Sequence, residues 1–109
     1  MRNGALYIGE TLIGNFVREG RGMLIKYDGS VYEGHWKDDK YAHKGRLILS
    51  NSEVYQGEFK DGIFHGFGKI KYSDGRKYEG EWQEGVIHGE GIYNFLNGNT
   101  YNGSFVYGL

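Results

Sequence analysis

The chain is 109 residues long, carries a net charge of −1, and contains 20 glycines but no proline and no cysteine. A balance this close to neutral sets up no overall field toward nucleic acid or anionic lipid, and without cysteine there is neither a disulfide framework nor a thiolate zinc site. Hydrophobic residues make up 39% of the chain, below the share usual in a globular domain, and glycine is more than twice as frequent as average, so any core has to be thin.

In chain order, the segment Met1-Arg2-Asn3-Gly4 lacks the apolar run of a secretory leader, and no later stretch approaches the length of a membrane span. Cytoplasmic or nuclear residence is therefore the expectation. Tyr7-Ile8-Gly9-Glu10 opens an irregular first unit, with Thr11 in the place that later units give to an aromatic ring, and with a longer apolar tip at Leu12-Ile13 and Phe16-Val17. Next comes Tyr32-Glu33-Gly34-His35-Trp36, and the same arrangement recurs as Tyr55-Gln56-Gly57-Glu58-Phe59, Tyr78-Glu79-Gly80-Glu81-Trp82 and Tyr101-Asn102-Gly103-Ser104-Phe105, at a constant step of 23 residues. Downstream glycines keep the same beat, Gly62 with Gly85, Gly66 with Gly89 and Gly68 with Gly91. Self-similarity at a fixed short period marks a repeat architecture.

Within each unit the apolar period is two: Tyr78, Gly80 and Trp82 point one way and Glu79, Glu81 and Gln83 the other, the signature of a half-buried strand. Asp61-Gly62 and Glu84-Gly85 divide units into halves, and Asp74-Gly75 and Asn97-Gly98 lead into the next unit; all are turn dipeptides. The expected fold is all-β: an elongated, twisted, single-layer antiparallel sheet of tandem β-hairpins, residues 1–109 forming one array with copies starting near 7, 32, 55 and 78 and an incomplete copy at 101. Nine strands spaced by about 4.8 Å would span roughly 40 Å.

Phosphate cradles do not account for the glycines. Gly66-Phe67-Gly68 and Gly89-Glu90-Gly91 begin a dinucleotide loop but continue with Lys71 and Asn94 where its third glycine belongs. A glycine between two aromatic positions of a strand instead leaves room for a ring from a neighbouring strand. Twelve of the 18 aromatic residues fall into three columns, Tyr7, Tyr32, Tyr55, Tyr78 and Tyr101; Trp36, Phe59, Trp82 and Phe105; and Tyr72, Tyr93 and Phe95.

These features resemble the MORN (membrane occupation and recognition nexus) repeat, whose pattern is approximately Y-x-G-x-W-x-x-G-x-x-x-G-x-G. Tyr78 to Gly91 match it at every fixed place; the copy at Tyr55 has Phe59 for tryptophan; the copy at Tyr32 has Asp39 and His43 where glycines belong. The resemblance implies a β-hairpin array used as a scaffold or docking surface, in cytoskeletal, ciliary or membrane-junction proteins or as an accessory region of larger enzymes. It also implies peptide binding in an aromatic groove, array-to-array dimers and affinity for acidic phospholipid.

The candidate partner-binding groove is lined by Tyr32, Trp36, Tyr55, Phe59, Tyr78 and Trp82, with Tyr72, Tyr93 and Phe95 as its other wall, because a single-layer sheet is expected to leave the outer side of these rings uncovered. Tyr41, Phe64 and Ile87 recur at the hairpin end beside Ile63 and Val86, either stacking tip on tip or forming a contact edge. Residues 55–77 are net positive and hold a candidate lipid-facing patch of Lys60, Lys69, Lys71, Arg76 and Lys77, whereas residues 78–100 carry Glu79, Glu81, Glu84 and Glu90 with no lysine or arginine. Tyr101, Gly103 and Phe105 begin a hairpin and offer an open edge strand, a template for strand addition. No metal or cofactor site is expected, since His35, His43, His65 and His88 have no accompanying ligand set. Glu79 and Glu81, two apart on one strand, could suggest an acid/base pair, but Glu33, Glu58 and Glu81 recur on the polar face of the repeat and read as a solvated face. The function expected is a non-catalytic scaffold for a protein partner or a second copy. The rivals are a peripheral module on acidic phospholipid, an accessory region of a larger enzyme, and an aromatic sugar- or choline-binding repeat.

Overall fold

The computed structural model describes residues 5–11 and 17–106; the apolar tip at Leu12, Ile13 and Phe16 lies outside them. Strands run β1 Leu6–Thr11, β2 Arg18–Ile25, β3 Val31–Lys37, β4 Lys40–Ile48, β5 Val54–Lys60, β6 Ile63–Lys71, β7 Lys77–Gln83, β8 Val86–Asn94 and β9 Thr100–Phe105, with no helix among the described residues. Each strand pairs antiparallel with the next in sequence, giving one nine-stranded sheet in the order β1 to β9. The molecule is elongated, 50 × 23 × 17 Å. Its all-β, single-sheet architecture is the one the period-two alternation predicts, and β7 shows why: Tyr78, Gly80 and Trp82 are buried while Lys77, Glu79 and Glu81 are exposed.

Two kinds of turn alternate at the two ends of the strands. Tips inside a repeat are two-residue turns at Asp38-Asp39, Asp61-Gly62 and Glu84-Gly85, with φ of 50° and 70°, 51° and 83°, and 50° and 86°. Positive φ at both central residues is what a type I′ hairpin needs to match strand twist. Turns between repeats use a different device. The side chains of Asp28, Asn51, Asp74 and Asn97 accept a hydrogen bond from the backbone N–H two residues on, at 2.9–3.1 Å. That is the local bond that makes Asp and Asn turn formers.

A glycine stands in every strand at one common register: Gly9, Gly22, Gly34, Gly45, Gly57, Gly68, Gly80, Gly91 and Gly103 pair in succession across the whole sheet. The tyrosine two residues before every other glycine lies on this flat strip. A Cβ built on Gly80 would sit 2.5 Å from the Glu90 carbonyl oxygen and 2.6 Å from the Tyr78 hydroxyl. The ring therefore covers glycines of its own strand and of the neighbouring one. Immediately beyond the glycine the ladder bulges: Gly57 pairs with Gly68 but Phe59 with Phe64, so one residue of β5 faces three of β6. The tyrosine hydroxyl donates to a carbonyl in this bulged stretch, Tyr32 to His35 at 2.7 Å, Tyr55 to Glu58 at 2.8 Å and Tyr78 to Glu81 at 2.9 Å. Across the bulge, Glu10, Glu58 and Glu81 carboxylates accept the backbone N–H of Arg21, Phe67 and Glu90 at 2.6–2.7 Å. Glu58 and Glu81 are thus backbone acceptors and not merely a solvated face. Their position explains Gly20, Gly66 and Gly89, whose φ values of 78°, 88° and 85° leave no room for a side chain beside the carboxylate.

Candidate functional site

The aromatic face is built from rings that cover one another. Each tyrosine meets the aromatic residue of its own strand edge-on, Tyr32 with Trp36 at 5.1 Å and Tyr78 with Trp82 at 5.4 Å. It also meets that of the following repeat, Tyr32 with Phe59 and Tyr55 with Trp82, both at 5.3 Å. Trp36 and Trp82 donate their indole N–H to the Gly22 and Gly68 carbonyls at 3.1 and 3.0 Å. Tyr41 and Phe64 lie flat on Tyr32 and Tyr55, with centroids 3.9 and 3.8 Å apart, and Ile87, at the equivalent place, is buried in the same cluster.

This packing closes over the rings expected to line a groove. Tyr32, Trp36, Tyr55, Phe59, Tyr78 and Trp82 are at most 6% exposed, because the glycine strip lets the tyrosines lie down and the bulge brings a lid over them. They are the core of the sheet. Tyr72, Tyr93 and Phe95 remain partly open: Tyr93 lies 4.8 Å from Phe95 and 6.3 Å from Tyr72, and the Arg76 guanidinium covers the Tyr72 ring at 4.6 Å while donating to the Tyr93 hydroxyl. Tyr41, Phe64 and Ile87 turn inward rather than project from the tips. The tips themselves are joined, Gly62 and Gly85 donating N–H to the Tyr41 and Phe64 carbonyls of the preceding repeat at 2.9 Å, with Ile63 and Val86 exposed beside them. In β9, Tyr101 is half exposed, Phe105 is buried and Gly103 pairs with Gly91.

The basic residues divide between faces. Lys69, Lys71 and Lys77 share the face opposite the aromatic core, where Lys71 pairs directly with Lys77. Lys60 stands at the far, tip end, opposite Ile63. Arg76 is on the aromatic side, tied to Asp74 at 2.8 Å. Among the described residues no set of three or more metal-ligating side chains converges; His35 and His43 have ring centroids 6.0 Å apart, and His65 accepts from the Glu84 N–H.

Titration follows this packing. Burial raises the phenol pKa values of Tyr32 and Tyr55 and pushes that of Tyr78 up to about 12. The Arg18 side chain, bonded to Asp39 at 2.6 Å and seated over Trp36 at 4.5 Å, holds the Asp39 carboxyl below its usual range. Asp39 takes a glycine's place in the repeat, and this clamp occupies it.

Opposite the aromatic core, the sheet curves around an open cleft of about 790 Å³ whose lining runs from Arg21 of β2 through Glu33, Arg46, Gln56 and Lys69 to Glu79 of β7. Beside it, at the inter-repeat turn end, runs a row that single-copy inspection overlooks: Leu6, Ile25, Val31, Ile48 and Val54 pair in succession from β1 to β5, and the row continues with Lys71 and Lys77. Aligning the residue before each repeat tyrosine, Leu6, Val31, Val54, Lys77 and Thr100, would have exposed this change from apolar to polar along the array.

A family model for the MORN repeat matches residues 32–52, 55–75 and 78–100. No curated protein sequence matches the chain significantly.

Proposed function

The chain belongs to the MORN repeat family, and on that premise we propose that it is a non-catalytic repeat scaffold that docks a protein partner within a cytoplasmic, cytoskeletal or organelle-associated assembly. The observation that supports this is the allocation of its two faces. Tyr32, Trp36, Tyr55, Phe59, Tyr78 and Trp82 are taken up by the core, so the opposite face is left as an unpartnered surface, concave across six strands and bordered by an apolar row. A surface of that kind, broad and open rather than enclosed, fits recognition better than chemistry.

The Lys69, Lys71 and Lys77 cluster supports a second reading, contact with acidic phospholipid. Cross-linking capture with the native chain and with a Val31→Ser/Ile48→Ser/Val54→Ser variant distinguishes the two. A protein retained by the first and lost by the folded second supports docking on this face. If no protein tells the variants apart and the native chain floats with phosphatidylserine vesicles at physiological salt, docking gives way to membrane contact.

A further inference from the structure

The face opposite the aromatic core is polar along its length in most rows, but its turn-end row is divided. From β1 to β5 it presents Leu6, Ile25, Val31, Ile48 and Val54, of which Leu6 and Ile25 are exposed and the others half-buried. Ile8, more than half exposed, and Met23 widen the apolar part in the adjacent row. At β6 and β7 the row becomes Lys71 and Lys77, paired directly across the strands and joined by no ion pair among the described residues. Like charges placed opposite each other in a sheet are unfavourable. A second cleft, of about 340 Å³, opens at this junction, lined by Val54, Lys69, Lys71 and Lys77 together with Arg46 and Glu79.

We propose, building on the docking function above, that this row receives one linear segment of a partner protein in which a run of apolar side chains is followed by at least two carboxylates. The apolar run lies over Leu6 to Val54 and the carboxylates meet Lys71 and Lys77. Three features select this occupant. The apolar row crosses five strands, about 19 Å at 4.8 Å per step, and the lysines extend it by about 10 Å, a length and width suited to a single chain segment. The exposed apolar side chains offer area for burial, and the lysine pair supplies the charge complementarity, because an incoming carboxylate relieves a repulsion already present in the free protein. A bilayer fits less well: it is flat, whereas this face is concave around a cleft lined by residues of six strands, β2 to β7.

The test is selection of a display library of random linear peptides on the native chain, with affinities of the enriched peptides then measured by fluorescence anisotropy. Enriched peptides are expected to carry an apolar run with aspartate or glutamate on one side of it only. They should bind a Lys71→Glu/Lys77→Glu variant at least about tenfold more weakly, and replacing their carboxylates by lysine should restore binding to that variant, which separates lost recognition from lost folding. Enriched peptides without carboxylates, or indifferent to the double variant, overturn the proposed chemistry while leaving the docking function standing. A library that yields no binder, with the chain floating instead on phosphatidylserine vesicles, overturns both.

Discussion

Substituting Gly91 by alanine tests the packing that holds the repeats together. Gly91 does not have a positive φ, so the backbone itself accepts alanine and the cost is steric. The added Cβ would lie 2.5 Å from two carbons of the Tyr78 ring, against about 3.5–4.0 Å for carbon atoms in favourable contact. Tyr78 is fully buried and bounded by Trp82 at 5.4 Å and Phe105 at 5.2 Å, so its ring has nowhere to go. Overpacking of this kind costs about 1–3 kcal/mol, and moving the ring also breaks the hydroxyl bond to the Glu81 carbonyl, about 1 kcal/mol more. A total near 3 kcal/mol, at an m-value of about 1.5 kcal/mol/M, lowers the urea midpoint by about 2 M. Gly103 is the control: its Cβ would also meet a tyrosine, Tyr101, at 3.0 Å from a ring carbon, but Tyr101 is 45% exposed and can swing away. Gly103→Ala should therefore cost less than about 1 kcal/mol, the range of ordinary surface changes. Urea titrations followed by the fluorescence of Trp36 and Trp82 measure both. Equal costs for the two substitutions, or a Gly91→Ala cost below about 1 kcal/mol, would refute the account of a tyrosine locked onto a glycine strip.

Three further outcomes are expected. His43 occupies the position of Gly20, Gly66 and Gly89 at φ 53°, so His43→Gly should stabilise the protein by about 1 kcal/mol, seen as a higher melting temperature. Trp82→Phe removes the buried bond to the Gly68 carbonyl and should cost about 1–3 kcal/mol while keeping the fold, since the third unit already carries Phe59 at that place. In alkali, Tyr78 ionises at about 12 in the folded chain against 10.0 ordinarily, and Tyr32 and Tyr55 are shifted the same way. The unfolded chain then holds fewer protons than the folded one, so the stability these phenols contribute is full below pH 10 and is lost as pH rises through 12. Tyrosinate absorbance should rise together with unfolding; a rise that precedes unfolding and involves these three residues contradicts their burial.

Repetition made the secondary structure legible in the sequence. The step of 23 residues, the period of two and the Asp-Gly and Asn-Gly pairs determine strands, turns and their order, because each depends on a few neighbouring residues: alternation sets which side a residue takes, and positive φ selects glycine or a short polar residue. The same local chemistry explains Asp39 and His43, residue types that tolerate the left-handed conformation when glycine is absent. What reaches beyond one strand was decided only by the tertiary structure. The aromatic columns were visible, but whether they formed a groove or a core depended on a bulge that swings Tyr41 and Phe64 over Tyr32 and Tyr55. The bulge in turn depends on the Glu58 and Glu81 side chains satisfying N–H groups on the neighbouring strand. Likewise Val31, Ile48 and Val54 are unremarkable in their own repeats. Strand register alone sets them side by side and leads them to Lys71 and Lys77, because a row across a sheet collects one residue from each strand and no stretch of sequence contains it.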